Sequence, residues 1–443
     1  MTMSKLTDRM YGYLAEDEDA RVCKDIPDSA CNDQPQAFMA HLWALTLTKL
    51  GDSLVSARLV LPWMLTALGA PSAFIGALVP LRESLALLPQ LFIAQRMRET
   101  PVRKWFWVAG SIGQALSLLV MVAAIITTEG ETFGWAIVIL LALFSLSRGV
   151  CSVAIKDVQG KTISKTRRGR LSGLAASVAG TLSLLTAIAI LIAPSLTDTQ
   201  RDGDAWIFVV LLSFAALLWV AAAIIYAQVP EVPGATEGGG NAVIEALKSI
   251  ALLWQDKNFG QFVLTRALLV ASAFAIPYIV VMIQRSGDGG LTGLGGLMLA
   301  SGLAGMLAGR FWGKWSDSAS NHVMAAAALL ATLVMALALG LYMWQPNLLA
   351  QQWLSGFIIF AAAVAHHGAR VGRKTYLVDM ATQDNRAQYT AVSNTVIGVV
   401  LLLGILLGLL DQLVGVEAVI GLLIVLGFVA AVRAFSLPNV QQD

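Results

Sequence analysis

The stretch Val-Pro-Glu-Val-Pro-Gly-Ala-Thr-Glu-Gly-Gly-Gly-Asn, residues 229–241, decides how this chain is organised. Two prolines, four glycines and two carboxylates make it too polar and too flexible to enter hydrocarbon. On its N-terminal side lie six long apolar stretches, at 39–68, 72–95, 105–128, 133–155, 170–195 and 205–228. Six more follow, at 259–284, 290–312, 322–344, 348–369, 387–411 and 416–436. Each is long enough for the ~20 helical residues that a ~30 Å hydrocarbon core requires. Barrel strands need only about ten alternating residues, and these runs are longer and apolar on all sides.

Composition agrees with an all-α membrane protein: 57% of residues are hydrophobic and 13% charged, where a soluble domain carries about a quarter. Mean hydropathy is +0.71. The expected fold is therefore twelve transmembrane helices in two six-helix bundles. The expected division is an acidic cytoplasmic tail over 1–37, a first bundle over 38–228, a linker over 229–257, a second bundle over 258–437 and a short tail over 438–443. Within the linker Ile244, Leu247, Ile250, Leu253 and Trp254 recur at helical spacing opposite Glu245, Lys248 and Asp256, which predicts an amphipathic helix on the membrane surface.

Basic residues fall on alternate connections only. Those after spans two (Arg96, Arg98, Arg103, Lys104), four (Lys156, Lys161, Lys165, Arg167, Arg168, Arg170), eight (Arg310, Lys314) and ten (Arg370, Arg373, Lys374, Arg386) are basic, and the opposite connections offer only Arg201 and Arg285. Basic loops stay in the cytoplasm, so a multi-pass inner-membrane protein with both termini cytoplasmic is expected. Trp63, Trp135, Trp206 and Trp344 at one end and Trp105, Trp107, Trp312 and Trp315 at the other read as interfacial belts. Residues 1–37 hold eight acidic and four basic residues with no apolar core of a secretory signal, and read as a mobile tail. Cys23, Cys31 and Cys151 form no disulfide or metal framework on this reading, since two lie in a reducing compartment and one in a helix. The net charge of +2 gives no reason to invoke nucleic acid.

The halves echo each other: each has its longest basic connection after its fourth span, with Gly160-Lys161-Thr162 in one and Gly372-Arg373-Lys374-Thr375 in the other. Such repeats place a transporter's substrate site at the midplane between two rocking bundles. Gly302, Gly305, Gly309 and Gly313 in span eight, and Gly404 and Gly408 in span eleven, form small-residue stripes. These serve either ordinary packing within a bundle or a moving contact between bundles.

Twelve spans in two sixes, a long central linker and the loop after span eight resemble the major facilitator superfamily over residues 38–437. Gly313-Lys-Trp-Ser-Asp317 matches the first part of that family's loop signature, although Ser320, Asn321 and His322 stand where basic residues usually follow. In the first half Leu91 and Gln95 occupy the Gly and Asp positions ahead of Arg96. The resemblance implies two bundles related by a pseudo-two-fold axis, and a role for Asp317 in latching the outward-open form. Arg148 stands where the family often has a membrane-embedded Arg tied to proton coupling, with Ser152 in place of the usual Gly. The family's antiporter Gly-Pro pair is missing between Gly173 and Gly180.

A charge at the centre of a span costs about 2.5–3.5 kcal/mol on insertion scales, so ionisable residues there are candidates for function. Span one offers Lys49, Asp52 and Arg58, span two Arg82 and Glu83, span four Arg148, span seven Arg266, and span ten His366 and His367. Folding spans one and two about residues 69–71 puts Arg58 level with Glu83 and predicts an ion pair, either a clamp within the first bundle or a part of the pathway. Asp52 has no obvious partner except Lys49; it is the preferred proton carrier, with Glu83, His366 and His367 as further coupling candidates. Adjacent histidines point about 100° apart, so only one of the two can face a cavity. Arg58, Arg82, Arg148 and Arg266 are substrate-pathway candidates whose charge suits an anion unless internal pairing cancels it. Pro80, Pro89 and Pro277 suggest kinks.

Gly160-Lys161-Thr162 fails as a phosphate loop, because Ile155 replaces the upstream glycine and no strand precedes it. With no nucleophile elbow and no paired carboxylates in a soluble domain, the chain is expected to be no enzyme and to need no cofactor. The expected activity is secondary transport by a monomer, of a small solute coupled to a proton or another ion, with lipid as its other partner. An uncoupled facilitator, or a non-transporting receptor or assembly factor of this fold, is the alternative. Polarity of the space between the bundles separates transporter from scaffold.

Overall fold

In a computed structural model the described residues are 11, 26–196, 204–234, 236, 250–287, 290–382 and 385–441. Among them all regular structure is helical. The main helices are α1 Gln34–Leu54, α2 Val60–Ala67, α3 Ile75–Ser84, α4 Gln90–Arg98, α5 Lys104–Thr127, α6 Gly130–Thr162, α7 Lys165–Leu196 and α8 Asp204–Ala227, followed by α9 Lys257–Leu268, α10 Ala271–Ser286, α11 Leu291–Trp344, α12 Gln352–Met380, α13 Arg386–Leu403, α14 Ile405–Val414 and α15 Val416–Phe435. Nine stretches within them are long and apolar enough to cross a membrane. Large apolar side chains such as Leu119, Leu217, Leu307, Phe357 and Phe428 are exposed on the outer faces. So much outward apolar surface belongs against lipid, and the chain is a multi-pass membrane protein.

The difference from twelve predicted stretches has local causes. Helix α11 covers two of them in one run, bent at Ala319. The Gln441 side chain accepts from the backbone N–H of Ser320, and Asn321 donates to the Leu437 carbonyl, so groups freed at the bend find partners. The first two stretches are each broken in the middle. Proline lacks an N–H and clashes with the carbonyl four residues before it. Pro62 has Arg58 at that position, inside the α1–α2 break, and Pro89 has Leu85 there, inside the α3–α4 break. Pro80 and Pro277 remain inside α3 and α10.

Contacts mark two ends. At the near end Gln34 meets the Ser164 backbone, Glu231 meets Arg103, Lys104 and Lys161, and Gln441 meets Asp379 and Ser320. The linker does not leave the bundle at once, as its composition suggests. Glu231 accepts from the backbone N–H groups of Arg103 and Lys104 at 2.9 and 2.7 Å, capping the start of α5 where the helix dipole favours an anion. The predicted amphipathic helix over 244–254 lies largely outside the described residues; a short turn, Leu252–Gln255, is described at its end.

The tail is likewise partly docked. Tyr11 packs edge-on against Phe38 and accepts from Gln34 at 2.7 Å, with Arg167 over its ring. Cys31 is disulfide-bonded, contrary to the expectation that no disulfide forms, which rested on composition and compartment alone. Three of the expected interfacial tryptophans are core instead: Trp63, Trp107 and Trp312 are 2–3% exposed. Trp107 stacks on Tyr226, and the Trp312 N–H donates to the Val364 carbonyl.

At the far end the two halves meet. Gln284 of α10 donates to the Trp63 carbonyl, and the Ser84 hydroxyl of α3 donates to the Gly398 carbonyl of α13 at 2.8 Å. Backbones touch where glycine permits: a methyl on Gly408 would lie 2.1 Å from the Ala73 carbonyl oxygen, and one on Gly295 would lie 2.7 Å from the Leu191 nitrogen. Gly302 faces Leu184 of the other half, whereas Gly309 and Gly313 face open space. The close approach in span eight therefore sits nearer the far end than the stripe predicts. Replacing Gly408 with Leu is expected to hold the far end open. Spin labels on cysteines placed at 131 and 348 should report a longer distance than in the parent protein; an unchanged distance would show that the Gly76–Gly408 contact does not control closure.

Candidate functional site

Helices α1, α3 and α6 carry Asp52, Arg82, Glu83 and Arg148, and the break before α2 carries Arg58. Asp52 on α1 accepts from Arg82 of α3 at 2.7 Å through one oxygen and pairs with Arg148 of α6 at 2.7 Å through the other. Three helices are thus tied by one carboxylate. Arg82 also lies over the Phe144 ring, 5.0 Å from its centre. Arg58, in the α1–α2 break, pairs with Glu83 at 2.5 Å as the hairpin geometry predicts.

These five groups line a cavity of about 360 Å³ that also includes Ser56, Gln90, Ser152 and, from the second half, Arg370. Gln90 is shared with a cleft of about 470 Å³ running past Arg103, Lys156 and Asp157 toward the near end. A smaller cavity of about 30 Å³ adjoins, sharing Arg58, Glu83 and Arg370 and adding Arg266, His366 and Arg373. The space between the halves is therefore polar and closed at the far end by the seam, while the cleft past Gln90, lined by first-half residues, runs on toward the near end.

The reading of Asp52 as a carboxylate without firm pairing is corrected. Its partners come from two other spans, so depth along span one could not reveal them. An ion pair stripped of one member costs about 3–5 kcal/mol when fully buried, and less here because the Asp52 side chain keeps 23% exposure. Arg266, 8% exposed, donates to Ser393 at 2.6 Å and to Asn394 at 2.8 Å and forms no ion pair among the described residues. His366 is buried with its Nδ1 3.5 Å from the Ser272 hydroxyl and faces the smaller cavity. His367 turns toward Gly305 within the second half, as the angle between neighbours requires. Gly313 has open space beside it, and Asp317 is exposed with no ion pair among the described residues.

One group escaped the sequence reading. Asp411, near the end of α14, is 4% exposed at the far-end seam beside Ser72 of the first half, and neither of its oxygens has a well-formed hydrogen bond. It is the last residue of the apolar stretch 387–411, one turn beyond Gly408, whose backbone lies against Ala73 of the first half. Farther out, at the near end, the Tyr389 hydroxyl donates to Asp256 and holds that carboxyl below its usual range, aided by the Phe259 and Asn258 N–H groups it caps.

No protein-family model matches this chain, and no curated protein matches it in sequence. Solved structures do match its shape. A point mutant of the nucleoside transporter NupG superposes with a TM-score of 0.68 at 14% identity, covering 90% of this chain and 99% of that one. The chain has the major facilitator superfamily fold. A D-xylose-proton symporter gives a TM-score of 0.65 at 12% identity over 92% and 99%. A bacterial homologue of the human lysosomal transporter Spinster, inward-facing and unoccupied, gives 0.62 at 11% over 91% and 96%. Two bundles with a seam and a cavity between them are what this fold provides.

A buried, unsatisfied carboxylate costs more than the neutral amide of the same shape. Asp411→Asn should therefore raise the melting temperature in detergent at neutral pH. A lowered melting temperature would show that the carboxylate makes a stabilising contact.

Proposed function

We propose that this protein is a secondary transporter that moves a small solute by alternating access, with a proton as coupling ion. One observation carries the reading: the space between the halves is a charge-lined cavity closed at one end, where a scaffold would fill it with apolar side chains. Charged groups in a membrane interior are too costly to keep without use. The alternation of basic loops supports an inner-membrane location with the near end cytoplasmic. On that orientation the conformation is inward-facing, and the free state of Asp317 agrees with a latch that engages only in the outward-open form. The similarity to a D-xylose-proton symporter supports the coupling ion.

In this mechanism the far-end seam opens as the near end closes, and the solute site passes from one side to the other. Asp52 and Glu83 are the coupling carboxylates. A proton on Asp52 releases Arg82 and Arg148, loosening the tie among α1, α3 and α6 that shapes the cavity. His366 contributes to the solute site from the second half. The protein works as a monomer, since each chain holds both halves of the site.

Reconstitution in liposomes tests this. Counterflow of a transported solute should accelerate under an imposed pH gradient, and Asp52→Asn should abolish the acceleration. Acceleration unchanged in Asp52→Asn would remove Asp52 from coupling, and absence of transport for every solute offered would remove the transporter reading.

A further inference from the structure

The two adjoining cavities carry more positive than negative charge, by a wide margin. Arg58, Arg82, Arg148, Arg266, Arg370 and Arg373 line them, against Asp52 and Glu83. In the first half the balance is nearly met: Arg58 pairs with Glu83, while Arg82 and Arg148 share Asp52. In the second half it is not. Arg266 is held by a hydroxyl and an amide oxygen, and its buried Nε has no hydrogen-bond partner. Arg370 and Arg373 form no ion pair among the described residues, although both lie within electrostatic range of Glu83.

Guanidinium groups keep their charge when buried and present a planar fork that matches carboxylate and phosphate oxygens. Three of them facing a cavity from one side, without carboxylates, form an incomplete set whose missing member is an anion. We propose, resting on the transporter reading above, that the solute is a small organic anion bearing a carboxylate or phosphate group, bound by Arg370 and Arg373 with Arg266 behind them. Arg370 opens onto the cavity of about 360 Å³, whose volume suits a molecule of that size, and Arg373 and Arg266 line the adjoining cavity of about 30 Å³.

Charge also links binding to motion. When the near end closes, the cationic face of the second half must approach Arg58, Arg82 and Arg148 of the first, and like charges in a low-dielectric space repel. A bound anion cancels that repulsion, so the loaded protein closes where the empty one resists. The same arginines then give both recognition and commitment to the transport step.

The test uses the full chain in proteoliposomes and in detergent, with succinate and glycerol 3-phosphate as anionic probes and xylose and uridine as neutral ones. Counterflow of at least one anionic probe is expected, together with a rise in melting temperature that matched sodium chloride does not produce. The preferred anion tells carboxylate from phosphate recognition. Arg370→Gln and Arg373→Gln should each weaken apparent affinity about 10–100-fold, the worth of one charge-assisted hydrogen bond. Arg370→Lys, which retains the charge without the fork, should recover part of the loss and guards against a folding defect. Arg96→Gln, on the exposed near-end surface, should leave affinity unchanged. Transport of neutral probes alone, with no effect of either anion, overturns the anionic class and leaves the transporter reading standing. Stabilisation by an anion without movement of any probe supports the anion site and overturns transport. No movement and no stabilisation by any probe overturns both.

Discussion

The Asp52 carboxylate, shared between Arg82 and Arg148, is the interaction on which the first half of the cavity depends. It draws α1, α3 and α6 around one point, and each of its oxygens has one arginine. Without it two guanidinium groups would face each other across a space of low dielectric, and the helices carrying them would move apart. Phe144 supports the arrangement by offering its ring face to Arg82. Arg58 and Glu83 repeat the device one turn farther along, where Pro62 has already forced a break that frees Arg58 to swing inward.

The second half is built differently, and the contrast gives the site its direction. Arg266 rests on neutral oxygens, and Arg370 and Arg373 have no ion pair among the described residues, so the charge imbalance lies on the face contributed mainly by α9 and α12. The seam at the far end is made of small residues and backbone carbonyls, which slide and part at little cost. The cavity is made of fixed charges that respond to what enters. Division of labour between a soft seam and a charged interior is the physical basis for proposing alternating access.

Much of this was legible in the chain. Membrane insertion followed from run length and charge depletion, and the Arg58–Glu83 pair from counting residues back from the turn at 69–71. Depth along a span can be read in that way, but the direction a side chain faces cannot be read without the neighbouring spans. That is why Asp52 looked unpaired although Arg82 and Arg148 were both named as candidates. The same limit explains Trp63, Trp107 and Trp312, placed at the right ends but turned into the core rather than toward lipid. Asp411 stayed hidden because it stands at the edge of its stretch, and its burial beside Ser72 of the other half depends on how the halves pack. The linker misled in another way: its composition is that of a free segment, yet Glu231 is spent on the first turn of α5.

The most direct measurement of alternating access at this site is side-specific labelling of a cysteine placed at Ser56, which lines the main cavity. In oriented membrane vesicles a membrane-impermeant maleimide should reach it from the near end and not from the other, and Gly408→Leu should make it reachable from the far end. Equal labelling from both sides in the parent protein, or protection from both, would contradict a cavity that opens to one side at a time.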